Sequence, residues 1–250
     1  MAQTVTTVEL KSETLHRFEE YIGEAEEAMQ QTLHGDGLFL WSDASPERAL
    51  RVREGKILAQ FWSGQGPFKV TDGLIHDWIG AEFIPGVTVE LVLRLVQNYG
   101  NHKNIYKPEV IDSRLLTHHG NDFQIYMRLL KKKIITVVLD TYHDVHYSSL
   151  DRTHWLCRSY TTRILEVEAA GSRRETILPP DTGYGFLWRL YSYWRFQEKQ
   201  GGVFVECRAI SLSRNVPLGL GWLIEPIIQK LPRESLVNTL QATRQALIAT

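Results

Sequence analysis

The sequence has little cysteine. Its 250 residues include only 2 cysteines, Cys157 and Cys207, too few for the disulfide framework of a small secreted domain. Each lies inside a stretch that we predict to be a strand, so we expect two buried free thiols. A chain of this length can bury a large core without covalent cross-links.

The sequence also lacks an excess of either charge and any long apolar run. A net charge of −1 gives no electrostatic basis for binding nucleic acid or an anionic membrane. No apolar run is long enough to span a bilayer, so we expect no integral membrane segment. The first residues carry no secretory signal, which favours the cytoplasm unless a signal was removed from an exported protein. The compartment and the oligomeric state stay open.

Motifs for common metals, cofactors and nucleophiles are missing as well. The 9 histidines include no His-Glu-x-x-His, and there is no Cys-x-x-Cys. His143 and His146 lie three apart on a predicted strand, so their side chains point to opposite faces. There is no Gly-x-Ser-x-Gly. We therefore assign no metal, no cofactor and no catalytic residue.

What the sequence does contain is a strand hairpin with clear alternation. One face of residues 185–198 carries Phe186, Trp188, Leu190, Ser192, Trp194 and Phe196. One face of residues 203–212 carries the smaller set Val203, Val205, Cys207, Ala209 and Ser211. A two-residue turn at Gln200-Gly201 would pair Trp194 with Cys207 and Arg195 with Glu206, and a slip by one residue would scramble both faces.

The opposite face of the hairpin carries charge. We expect Arg189, Arg195, Glu206 and Arg208 to form a solvent-exposed ladder of cross-strand pairs. If the two faces were inverted, these side chains would instead line the interior, together with Tyr191 and Tyr193.

A long apolar helix follows the hairpin and ends the chain. Leu220, Leu223, Ile224, Ile227, Ile228 and Leu231 recur at the spacing of one helical face. Pro226 and Pro232 lack the N–H group that a helix interior uses, so we expect a kink or a short break there.

The remainder divides into an N-terminal part and a strand-rich part. Residues 10–33 form a predicted amphipathic helix whose many glutamates we expect to be solvated. After a helix pair near residues 88–108, strands joined by short turns predict an antiparallel sheet. We predict two units: residues 1–72 as an N-terminal helical extension outside the main sheet, and residues 73–250 as the main domain.

Four segments resemble one known superfamily. They are Phe83-Ile84-Pro85-Gly86, residues 98–110, Gly202-Val203-Phe204-Val205-Glu206-Cys207 and Leu231-Pro232-Arg233-Glu234-Ser235-Leu236. Together with the order of elements, they resemble the helix-grip fold of the START-like superfamily, which includes lipid-transfer domains, coenzyme Q-binding proteins and polyketide cyclases. Within it the chain looks most like a group of uncharacterised bacterial proteins. The implied fold class is α+β, a curved antiparallel sheet wrapped around a long C-terminal helix.

The resemblance implies a cavity between sheet and helix that holds a hydrophobic small molecule, such as a lipid, a quinone or a polyketide-like compound. From the predicted inward faces we expect it to be lined by Phe123, Met127, Leu139, His143, Tyr147, Trp188, Trp194, Phe196, Ala209, Leu223 and Ile227.

Three functions fit these expectations. The first is a non-enzymatic binder or carrier of the hydrophobic molecule. The second is an enzyme of the cyclase or aromatase kind, with His143, Tyr147 or Arg189 as acid–base groups. The third is an interaction module whose sheet and helix pack solidly. An open cavity separates the first two from the third.

Overall fold

A computed structural model describes residues 7–34, 37–132, 136–215 and 221–248, without the side chains of His34 and of residues 221–230. The helices are α1 (Ser12–His34), α2 (Pro46–Arg53), α3 (Val89–Val96), α4 (His102–Ile105) and α5 (Gly221–Ile248), with 3₁₀ turns at Ser42–Ala44 and Tyr99–Asn101. The strands are β1 (Val8–Glu9), β2 (Leu58–Phe61), β3 (Phe68–Val70), β4 (Gly73–Pro85), β5 (Val110–His119), β6 (Asp122–Lys132), β7 (Thr136–Ser149), β8 (His154–Glu168), β9 (Thr176–Ile177), β10 (Thr182–Gly183), β11 (Arg189–Lys199) and β12 (Gly202–Arg214).

One large antiparallel sheet dominates the described residues. Its strands follow the order β2-β4-β12-β11-β8-β7-β6-β5, with β3 also paired to β4 and β9 to β8. Strands β1 and β10 form a separate short pair. The sheet and the long helix α5 confirm the predicted α+β helix-grip architecture. We call the side on which α5 packs the inner face and the other side the outer face.

The β11–β12 hairpin has the predicted register. Trp194 pairs with Cys207 and Arg195 pairs with Glu206. The turn places Gln200 at φ 55° and Gly201 at φ 79°, the two positive values of a type I′ turn whose twist matches the strands. The inner face of β12 therefore presents its small residues opposite the aromatic residues of β11.

Helix α5 differs from its prediction in one respect. It runs from Gly221 to Ile248 as a single helix, so the expected short break at Pro226 or Pro232 is wrong. Because most helix stability in a protein comes from tertiary packing, contacts on the sheet offset the backbone hydrogen bond that a proline removes. Those contacts include Leu236 and Leu240, both buried in the inner-face core.

Gly80 permits the close approach of α5 to the sheet. A Cβ atom at this position of β4 would lie 2.8 Å from Cδ1 of Leu240 and 2.9 Å from Cδ2 of Leu236. These separations are far inside van der Waals contact, so a side chain here would push the helix away. The inner-face core thus depends on the absence of a side chain at one point of β4.

The N-terminal residues cover the outer face. Phe18 and Ile22 of α1 pack on Ile75, Ile210 and Leu212. A second cluster on the outer face joins Leu40 and Val52 to Ala81, Phe83 and Phe204. The sheet therefore has a layer on each side.

This outer cover corrects three expectations. In the charged ladder of the hairpin, Glu206 and Arg208 are buried and Arg189 and Arg195 are half-buried, so the ladder is not solvent-exposed. Glu206 accepts hydrogen bonds from the backbone N–H groups of Trp41 (2.7 Å) and Ser42 (2.8 Å). Glu26 of α1 is not solvated either, since its carboxylate accepts hydrogen bonds from the hydroxyls of Tyr160 and Tyr193.

Third, residues 1–72 do not stay outside the sheet, because β2 and β3 both pair with β4. That expectation is wrong for these two strands. The division of the chain at residue 72 into two units stays a prediction.

A buried ion pair on the outer face of the sheet is linked to α1 by a tyrosine hydroxyl. The carboxylate of Asp77 lies 2.6 Å from Nη2 of Arg208, and their side chains are 7% and 6% exposed. The hydroxyl of Tyr21 donates to the same carboxylate at 2.8 Å. Burial beside Asp77 raises the pKa of Tyr21 to about 12, which keeps the hydroxyl protonated as a donor.

Replacing Gly80 by valine should lower the free energy of unfolding by about 1–3 kcal/mol, because the new side chain meets Leu236 and Leu240. The control is Gly23→Ala in α1, where an added Cβ meets nothing within 4 Å. That variant should raise stability by about 0.5–1 kcal/mol through helix propensity. Urea unfolding measures both, and an unchanged Gly80→Val protein would contradict the close approach.

Asp77→Ala should cost about 3–5 kcal/mol of unfolding free energy, since it leaves the buried Arg208 cation unpaired. Glu20→Ala serves as the comparison, because Glu20 pairs with Arg17 at an exposed position of α1, where such pairs contribute less than about 1 kcal/mol. Equal losses in the two variants would show that α1 does not bury the Asp77–Arg208 pair.

Candidate functional site

A row of small residues crosses the middle of the inner face. Ser192 of β11 pairs with Ala209 of β12 on one side and with Ser159 of β8 on the other. Side chains of directly paired residues lie on the same face, so the three are neighbours. All three are partly exposed although they lie on central strands. We call these three residues the small-residue row.

Large side chains border this row on one side. Trp194 and Phe196 lie in parallel planes with ring centroids 6.2 Å apart, and the indole N–H of Trp194 donates to Oγ of Ser192 at 3.2 Å. Phe196 is fully buried, whereas Trp194 is only partly buried. The aromatic side chains thus change from packed core to accessible surface as they approach the small-residue row.

Polar side chains border the row on its other side. His76 pairs with Ser211, and Thr161 pairs with His143. These four residues are buried. Leu190 lies between the two pairs, opposite Ser211, and its backbone N–H donates to Oγ1 of Thr161 at 3.0 Å. We call the four buried polar residues, His76, Ser211, Thr161 and His143, the polar row.

The two histidines of the polar row differ in their hydrogen bonds. His143 uses both ring nitrogens, Nε2 with Oγ1 of Thr141 at 2.9 Å and Nδ1 with Oγ of Ser159 at 3.3 Å. His76 uses Nε2, which lies 3.0 Å from Oγ of Ser213. Within the part of the chain that the structure describes, its Nδ1 has no hydrogen-bond partner.

Burial lowers the pKa of His76 to about 4 and that of His143 to about 4, because a charged imidazole is poorly solvated there. His102 lies near His143, and its own pKa is lowered to about 4 for the same reason. All three rings are therefore neutral at pH 7.

The structure places the predicted ligand residues in different surroundings. Phe123, Tyr147 and Phe196 belong to the buried inner-face core, and Met127, Trp194 and Ala209 pack against it while partly exposed. Leu139 and His143 are buried on β7, in the same phase as Tyr147. Leu223 and Ile227 lie in α5, among the side chains that the structure leaves undescribed.

The predicted place of Trp188 on the inner face is wrong. Its side chain packs with Phe18, Ile75 and Leu212 on the outer face. The residue precedes Arg189, the first residue of β11, so the alternation of that strand does not extend to it.

Sequence reasoning missed His76 and Ser213. Alternation along β4 puts His76 in phase with Trp78 on the inner face. That phase was the available signal, but the sequence does not reveal that β4 is the neighbour of β12.

Two further polar groups lie in the inner-face core. The hydroxyls of Tyr99 and Tyr147 are 2.8 Å apart and bond to each other. Glu82 is fully buried, with Nε of Arg244 3.9 Å from its carboxylate, and burial raises the pKa of Glu82 well above its usual value. The two tyrosine hydroxyls satisfy each other, whereas the carboxylate oxygens of Glu82 have no hydrogen-bond partner among the described residues.

Two surface grooves are also present, and one of them reaches His143. One of about 310 Å³ is lined by Leu116, Gln124, Ile125, Tyr142, His143, Asp144, Thr162 and Arg163. Another of about 370 Å³ runs between α2, β2 and Arg233 of α5. Within the described ranges, no three His, Cys, Asp or Glu side chains come together as a metal site would need. No described helix combines the length and apolar character needed to cross a bilayer.

Solved structures with the same arrangement exist. A fragment of the STAR-related lipid transfer protein from Xanthomonas axonopodis superimposes with a TM-score of 0.50 at 16% identity, covering 73% of this chain and 97% of that one. The fold is START-like. The aromatase/cyclase Zhui from Streptomyces sp. R1128 gives a TM-score of 0.47 at 10% identity, covering 70% of this chain and 94% of that one. No protein-family model and no curated protein matches the sequence.

At these identities the likeness concerns the fold alone. The START-like fold confirms the resemblance that the sequence segments indicated. The fold does not specify a ligand or a reaction, since one fold hosts many functions.

The neutral histidines predict that stability falls in acid. In the folded protein the pKa values of His76, His102 and His143 are about 4, below the usual 6.5. Between pH 6.5 and pH 4 the unfolded chain therefore binds more protons, and the free energy of unfolding decreases as the pH falls. Each histidine contributes up to about 3 kcal/mol over this window.

Urea unfolding from pH 7.5 to pH 4.5 measures this slope. His143→Gln should reduce the slope, whereas Phe123→Leu, a core substitution without a titrating group, should lower stability equally at every pH. A slope that His143→Gln leaves unchanged would contradict a buried neutral histidine.

Proposed function

We propose that this protein binds a hydrophobic small molecule between the inner face of its sheet and α5, and carries it without changing it chemically. A lipid, a quinone or a polyketide-like compound would suit such a site. A protein of the same fold is named a STAR-related lipid transfer protein, which supports the proposal without identifying the ligand.

The observation that carries the proposal is the accessibility of the small-residue row. In a filled core, side chains on central strands are buried by their neighbours. Ala209, Ser192 and Ser159 are nevertheless partly exposed, and so is Trp194 beside them. Small side chains next to a partly exposed indole leave apolar surface available to a ligand, the usual composition of a small-molecule site.

The hydrogen bonds of the candidate acid–base groups favour carriage over catalysis. Both nitrogens of His143 are bonded within the protein, and the hydroxyl of Tyr147 bonds to that of Tyr99. Arg189 forms an ion pair with Asp181 at 2.6 Å. A general acid or base needs a bond to the reacting group, and each of these side chains already has a protein partner.

A solid interaction module would need the inner face to be filled throughout. The buried core around Phe196, Leu236 and Leu240 meets that condition. The small-residue row does not, because its members remain partly exposed on central strands. The accessible row therefore favours ligand binding over the interaction module.

Ala209→Phe tests the proposal, because a phenyl ring would occupy the space beside Ser192 and Trp194. We expect the variant to lose uptake of Nile red, a neutral fluorescent probe, while its melting temperature stays near that of the wild type. Ala44→Phe, at an exposed position, is the matched control and should bind the probe normally.

The contrary result is equally clear. Overpacking a filled core costs about 1–3 kcal/mol, so a solid interior would give a much lower melting temperature for Ala209→Phe. Combined with no probe uptake by the wild type, that result would defeat the proposed function.

A further inference from the structure

We infer that the ligand is uncharged and carries a hydroxyl group, which donates a hydrogen bond to Nδ1 of His76. This inference rests on the proposed function and specifies the chemical class of its ligand. It separates alcohols and phenols from fatty acids and phospholipids.

One ring nitrogen of the buried His76 is unsatisfied by the described residues. His76 lies on the inner face of β4 and is only 1% exposed, yet its Nδ1 has no hydrogen-bond partner among the described residues. A buried polar atom without a partner is costly, and such atoms are rare in folded proteins. A ligand that bonds to this nitrogen would remove that cost.

The hydrogen bond between His76 and Ser213 indicates whether Nδ1 of His76 donates or accepts. The hydroxyl of Ser213 has one proton, which it donates to the backbone carbonyl of its neighbour Arg214 at 3.3 Å. We assign that proton to the carbonyl, so that Oγ of Ser213 accepts from Nε2–H of His76, 3.0 Å away. A neutral imidazole carries only one N–H, so Nδ1 is an acceptor. The missing partner is therefore a donor, which a hydroxyl provides and a carbonyl oxygen does not.

The surroundings of His76 also indicate the charge of the ligand. Burial keeps His76 neutral at pH 7, since its pKa is lowered to about 4. In the described part of the chain, no hydrogen bond or ion pair links a member of the polar row to a lysine or arginine. Burying a carboxylate or phosphate without a cation is strongly unfavourable, so the polar row disfavours an anionic ligand.

The two histidines of the polar row are not equivalent. His143 has both nitrogens satisfied by Thr141 and Ser159, so it offers no free acceptor. His76 and His143 lie on β4 and β7, four strand spacings apart in the sheet, which is about 19 Å. The hydroxyl end of the ligand would accordingly lie at the β4 side, with its apolar body extending along the small-residue row.

Three ligands of equal chain length test the inference by displacement of Nile red from the full-length protein. They are 1-decanol, decyl methyl ether, which has no O–H, and decanoate, which is charged at pH 7.5. For the wild type we expect 1-decanol to bind about fivefold or more tightly than the ether, the value of one neutral hydrogen bond, and also more tightly than decanoate.

Variants locate the effect. His76→Phe keeps a ring but removes both nitrogens, so it should abolish the preference for decanol over the ether while leaving ether binding nearly unchanged. His119→Phe makes the same substitution at an exposed position of β5 and should keep the preference. If His76→Phe proves unstable, Ser213→Ala provides a smaller change that frees the ring and should weaken the preference.

The outcomes separate the two proposals. Tighter binding of decanoate or of the ether by the wild type, or a preference that survives in His76→Phe, would overturn this inference and leave the proposed function standing. A wild-type protein that binds Nile red and none of the three ligands would also overturn it. Failure to bind even Nile red would overturn both proposals.

Discussion

The register of the β11–β12 hairpin is the constraint on which the rest of the structure depends. Because side chains alternate along a strand, a two-residue turn at Gln200-Gly201 decides at once which residues of both strands face α5. It sends Trp194 and Cys207 to the inner face and Arg195 and Glu206 to the outer face. β11 and β12 lie at the middle of the sheet, so their phase is passed on to β4 and β8 through the ladders.

The outer face shows why the N-terminal residues are more than a decoration of the START-like fold. Charged residues at the centre of a sheet need partners when they are covered. Trp41 and Ser42 provide backbone N–H groups to Glu206, and Asp77 pairs with Arg208 beneath α1. These contacts hold the cover in one position, since a shift would take the N–H groups away from Glu206 and the Tyr21 hydroxyl away from Asp77.

The inner face divides by the size and polarity of its side chains. Around Gly80 the helix and the sheet approach so closely that no side chain fits between them. Farther along, Ala209, Ser192 and Ser159 leave accessible space between aromatic residues on one side and the polar row on the other. One face of one sheet thus provides a packed core at one end and a surface suited to a ligand at the other.

Much of this arrangement was readable from local patterns. Period-two alternation and the turn residues determined the hairpin register, and the helical spacing of apolar residues determined α1 and the end of the chain. Together with four sequence segments, they indicated the helix-grip fold. Those signals depend on neighbours within a few residues, which is why they survive in the sequence alone.

The tertiary structure alone decided what covers each face and which polar atoms keep a partner. Alternation divides Arg208 from Cys207, but it cannot reveal that α1 rather than water lies above Arg208. Trp188 turned to the outer face because it precedes the first paired residue of β11. His76 joined the candidate site because β4 pairs with β12, more than a hundred residues away. Pairing between distant strands is set by the whole packed core, and no local pattern encodes it.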